Sequence, residues 1–209
     1  MRPDAGIETF EDIPRVKPSL SFGLRGQREH CMNIMFKDIA AAAGFSFEDI
    51  SRWGGEVRYE GMIPFPDSPK FQSVIKGTTN ILVDEAGEWW VNPAVEAGLK
   101  IIGLNEITLQ QLEYRGYRRG HLRQRNFSNL DRDYTTVDFS GWTIFCHSEL
   151  PDDRVTQICA ALDERKHLIP WQEAGPLPVE RMCLEAEDTP QMVPFHPAAE
   201  RFWRKCGYL

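Results

Sequence analysis

The stretch SLSFGLRGQREHCMNIMFKDIAAAAGF, residues 19–45, decides the fold. Its first six residues alternate polar or small with apolar, as a half-buried strand requires, and the alternation stops at Gly26. Beyond His30, the residues Met32, Met35, Phe36, Ile39 and Ala43 recur at i, i+3, i+4, i+7 and i+11 until Gly44, the spacing of one helix face. Asn33, Lys37 and Asp38 fall off that face. A strand feeding a helix through a short glycine-containing turn predicts an α/β chain.

The same alternation continues downstream. EVRYEG (56–61) reads as a second strand, followed by a helix with Ser68 as N-cap, Pro69 at its first position and Gly77 as terminator. TNILVDEA (79–86) reads as a third strand and LKIIGL (99–104) as a fourth. Between them, GEWWVNPAVEAG (87–98) reads as a helix in two pieces, the second capped by Asn92 ahead of Pro93. ITLQQLEYRGY (107–117) closes the series, with Thr108 and Gln111 in capping-box spacing. Four βα units predict a parallel sheet with right-handed crossovers and a ligand site at the carboxyl ends of its strands.

The rhythm then changes. RRGHLRQRNFSNLDRDY (118–134) is basic and irregular, so a lobe boundary is expected at 117/118, followed by a strand TVDFSGWTIFCH (136–147). Pro151, Asp152 and Asp153 open a helix with an apolar stripe of Val155, Ile158, Cys159 and Leu162, and a last helix runs from Pro197 to Cys206 with His196 as cap. The expected organisation is an N-terminal extension over 1–15, an α/β lobe over 16–117, and a hinge crossing with an incomplete second lobe over 118–209.

Composition narrows the function. With 209 residues, 42% of them hydrophobic, the chain can build one large domain or two small lobes. A net charge of −7 without a long basic run argues against nucleic acid and anionic membrane as partners. The five cysteines show no C-x-x-C spacing and the five histidines are scattered, so neither a metal centre nor a cofactor is implied. Taken alone, the odd cysteine count points to a reducing compartment.

Three segments carry a family likeness: FGLRGQREHCMNIMFKDIAAAAGFSFEDI (22–50), VDFSGWTIFCHSELPDDRVTQICAAL (137–162) and VPFHPAAERFWRKCGYL (193–209). They resemble the TAXI group of TRAP-transporter solute-binding proteins, over most of the chain from about Ile7 onward. The resemblance implies a type II periplasmic-binding-protein fold, a small organic acid enclosed between two lobes, delivery to a TRAP membrane permease, and a periplasmic location. Members of the group carry a signal peptide and an N-terminal half-lobe that have no counterpart in this sequence. Two alternatives follow from that difference: a cytoplasmic enzyme on the same fold, and an interaction subunit completed by another chain or by a second copy in a homo-oligomer.

The candidate ligand residues lie at the predicted junctions. Arg25, Gly26, Gln27, Arg28 and His30 form an anion cradle at a helix start, where backbone N–H groups and guanidinium forks both suit a carboxylate. A plain strand-to-helix turn with solvated arginines explains the same residues. Thr78, Thr79, Asp84 and Glu85 flank the third strand and Trp89 follows, a set that could read an ammonium or cover an apolar ligand body, or simply cap and pack the next helix. Ser140 and Trp142 fall near the expected hinge, as ligand contacts or as a buried hinge strand. No paired carboxylates, H-E-x-x-H or G-x-S-x-G occur, so no catalytic signature is present. The enzyme alternative rests on Cys31, in arginine-flanked surroundings that favour a thiolate, with His30 beside it.

Overall fold

The computed structural model describes residues 1–3, 6–139, 143–169, 175–186, 191 and 193–209. It divides into two compact units, Met1–Asp138 and Phe139–Leu209, each described by itself.

The first unit is mixed α/β around a small parallel sheet. Strands β1 (Ser21–Leu24), β2 (Glu56–Tyr59) and β3 (Ile81–Leu82) pair in the order β2-β1-β3, with Phe22 opposite both Val57 and Ile81. Period-2 geometry sends Phe22 and Leu24, both fully buried, to one face. There they meet Phe36 and Ala40 of α2 (Cys31–Ala42) and Ile50 of α3 (Phe47–Arg52) in a first core cluster. Gly23 faces the other way, where a Cβ would stand 3.2 Å from Leu82 and 3.4 Å from Thr79. Leu82 packs on a second cluster built from Phe71 and Val74 of α4 (Pro69–Ile75) and Trp90, Val91 and Ala94 of α5 (Glu88–Glu96). Ser68 caps α4 through Phe71 N–H with Pro69 in the first turn, as expected.

Several expectations are corrected. Segment 99–104 is not a fourth strand, because its hydrogen-bonding groups are taken elsewhere: Met1 and Lys100 exchange N–H···O bonds of 2.8 Å in both directions, and Phe10 N–H donates to Gly103. Residues 1–15 are therefore no mere extension. Ile7, Phe10 and Ile13 are in the first core cluster, and Asp12–Val16 forms a short helix, α1. GEWWVNPAVEAG is one helix rather than two, with Gly87 at the cap position and Pro93 inside. The N-cap of α6 (Glu106–Tyr114) is Asn105, whose side chain accepts from Thr108 N–H, so no Thr108/Gln111 box forms. The basic segment folds into an antiparallel hairpin, β4 (Arg119–Leu122) with β5 (Tyr134–Val137), joined through a 3₁₀ turn at Gln124–Asn126. It stays within the first unit, so the division falls at 138/139 instead of 117/118.

In the second unit, α7 (Asp152–Arg165), α8 (Val179–Met182) and α9 (Pro197–Cys206) enclose a third cluster holding Val155, Cys159, Cys183, Ala198 and Trp203. His196 caps α9 by accepting from Ala198 N–H, and Gly207 ends it with φ +78°. Residues 143–147 are in no strand, and Ile144 and Phe145 are exposed; among the described residues of TVDFSGWTIFCH, only Thr136 and Val137 lie in a strand, as the end of β5.

Several carboxylates act as local locks. Asp12 is held well below its usual range by Arg15 and by the N–H groups of Thr9 and Glu8. Asp49 is lowered by the Ser46 hydroxyl and N–H of the α3 capping box, and Asp163 by Tyr208 and Lys166. A folded-state value below the unfolded 3.8 means stability that is fully present above 3.8 and is lost as pH falls from there through the lower folded-state value. Through these three carboxylates the melting temperature is expected to fall below about pH 4. A profile flat to pH 3 contradicts this role.

Candidate ligand-binding site

The three parallel strands end on the same side, and charged residues gather there. β1 runs directly into Arg25, and β3 reaches Asp84 through Val83. The Arg25 guanidinium is buried and donates to Asp84 Oδ1 from Nε at 2.8 Å and to Glu85 Oε1 from Nη2 at 3.3 Å, and Nη2 also lies 2.7 Å from the same Asp84 oxygen as an ion pair. Lys70, from the first turn of α4, donates to the other Asp84 oxygen at 2.8 Å. Side-chain exposure is 7% for Arg25, 1% for Lys70 and 0% for Asp84, so the triad is shielded from solvent. Burial pushes the Lys70 ammonium down, and Asp84 opposes that shift.

The turn between β1 and α2 is built around Asn33. Its Oδ1 accepts from Arg25 N–H at 3.1 Å, and its Nδ2 donates to the carbonyls of Arg25 at 3.0 Å and Gln27 at 2.8 Å. Gly26 N–H donates to Gly61 O at 2.8 Å, an approach so close that a Cβ on Gly26 would lie 3.2 Å from Gly61 backbone atoms. Arg28 is exposed beyond this clamp. Its guanidinium sits 4.6 Å from the Tyr59 ring centroid at the end of β2. Next to Tyr59, Glu60 carries a buried carboxylate oxygen without a hydrogen-bond partner.

This arrangement changes the expected roles. Arg25, Asp84 and Glu85 do come together, but they pair with one another, so the Arg25 charge is already balanced within the protein. Gln27 contributes its carbonyl to the turn, and its side chain is exposed. His30 spends Nδ1 on Met32 N–H at 3.2 Å as the α2 cap, while Cys31 Sγ lies 3.8 Å from that same nitrogen. A committed acceptor is a poor general base, which removes support from the Cys31 reading. Thr78 and Thr79 precede β3, at the opposite end of the strand, and bond to Ser73. Trp89 is 42% exposed on α5; the neighbouring Trp90 is the buried one, donating to Glu85 O at 2.8 Å. Ser140 and Trp142 lie outside the described residues.

Sequence reading missed Lys70, Asn33, Tyr59 and Glu60. Lys70 carried a signal: a cation in the first turn of a helix opposes the macrodipole unless a carboxylate waits for it. Asn33 stood beside the apolar face and is 1% exposed, with its burial repaid by backbone hydrogen bonds.

Fold and site together define an α/β protein with a buried ionic cluster and an exposed arginine at the carboxyl ends of its parallel strands. No protein-family model matches the chain, and a search of curated proteins finds no match.

Proposed function

We propose that the protein is a solute-binding protein for a small organic acid, with the ligand's carboxylate received by Arg28 at the start of α2. The observation that carries this reading is Arg28 itself: an exposed guanidinium seated on Tyr59, at the strand ends where open α/β sheets place ligands. A guanidinium lying on an aromatic face keeps N–H donors for a bidentate carboxylate. The Arg25–Asp84–Lys70 triad and the Asn33 clamp hold the turn beneath it. The resemblance to the TAXI group supports the same reading and extends it to a type II periplasmic-binding-protein fold, a TRAP permease partner and a periplasmic setting.

Thermal-shift and calorimetric titration with mono- and dicarboxylates tests this. At least one acid is expected to raise the melting temperature, and Arg28→Ala to weaken its binding roughly 10- to 100-fold, the worth of a charge-assisted pair. Binding that survives Arg28→Ala unchanged, or a panel in which no acid stabilises the protein, overturns the proposal.

A further inference from the structure

We propose a second ligand site in the first unit, for a small uncharged apolar molecule such as a single aromatic ring or a short branched hydrocarbon. A half-open pocket of about 200 Å³ lies where the two core clusters of this unit meet. Phe36 lines it from the first cluster, Val91 and Ala94 from the second, and Leu82, Ile101 and Leu122 add further apolar wall.

The fold explains why space occurs there. β3 is two residues long and ends the sheet, and the apolar segment 99–104 is drawn to the N-terminal segment by the Met1–Lys100 and Phe10–Gly103 hydrogen bonds instead of pairing alongside β3. Ile81, Leu82 and Val83 of the β3 region and Ile101, Ile102 and Leu104 of the 99–104 segment all line the gap.

Size and charge select the ligand. Apolar protein cavities of about 150 Å³ accept benzene or xenon, so this volume takes one ring with a small substituent. Two ionic side chains border the cavity and both are already paired; the amino group of Met1, which also lines the wall, donates to Lys100 O, and burial pushes its pKa down to about 5, so it is uncharged at neutral pH. Asp84 is paired with Arg25 and Lys70, and Lys100 Nζ reaches Glu8 at 2.7 Å. A charged ligand would find no unmatched counter-ion and would lose its hydration, whereas a neutral one exchanges water for aliphatic and aromatic contacts. This site does not depend on the carboxylate reading of Arg28.

The test uses the full chain and toluene as probe. Saturable methyl shifts in heteronuclear NMR spectra are expected at Leu82, Val91, Ile101 and Leu122, together with a change in the emission of Trp90, which also borders the cavity. Ala94→Leu, and independently Leu122→Phe, fill the space and are expected to weaken toluene binding by about tenfold or more. Arg28→Ala is expected to leave it unchanged, which separates this site from the carboxylate site. No saturable response in the unaltered protein, or shifts centred on methyls elsewhere, overturns the proposal. So does undiminished binding in a folded cavity-filling variant.

Discussion

Asp84→Asn is expected to remove about 3–5 kcal/mol of folding stability, the cost of stranding buried charge. Asparagine matches aspartate in shape but carries no charge, so Arg25 and Lys70 would remain in a solvent-shielded site without their common counter-ion. Urea denaturation followed by circular dichroism reads this as a lower midpoint at constant slope. Lys70→Met separates charge from shape. It leaves Asp84 paired with Arg25 and with Glu85 N–H, so its expected cost is only roughly 1.5–3 kcal/mol. Adding it to Asp84→Asn is expected to cost less than the sum of the two, because it deletes one of the stranded cations. An Asp84→Asn protein within about 1 kcal/mol of the parent would mean that water reaches the triad.

Phe36→Ala is the second large effect, at about 3–5 kcal/mol. Phe36 is 2% exposed, and its ring centroid lies 5.8 Å from Phe10, 5.5 Å from Phe22 and 5.6 Å from Phe47. Truncation would empty the point where α2, β1, α3 and the N-terminal segment converge. Trp89→Ala, at a half-exposed position on α5, serves as the matched aromatic control and is expected to cost far less. Equal losses at the two positions would contradict the assignment of the core.

Local structure was legible wherever one short window held its cause. The change of hydrophobic period across residues 19–45, the Ser68–Pro69 start of α4, the acidic start of α7 and the His196–Pro197 start of α9 all appear as read. What failed depends on partners distant in the chain. An apolar run such as 99–104 announces burial without saying which backbone will take its hydrogen bonds, and here the answer is Met1 and Phe10. The ion pairing within the site was hidden for the same reason. Arg25, Asp84 and Glu85 were each picked out, yet 59 residues separate Arg25 from Asp84, and only the pairing of β1 with β3 reveals that they neutralise one another.

The brevity of β3 gives that ionic triad a further meaning. Only two residue pairs align β3 with β1. A slide of two residues would keep every side chain on its proper face, so hydrophobic patterning alone tolerates it. It would also carry Asp84 away from Arg25 and Lys70, and the penalty would fall on three buried charges at once. Where the paired ladder is this short, flanked by the Asn80–Ser21 and Val83–Gly23 hydrogen bonds, electrostatics adds the vernier.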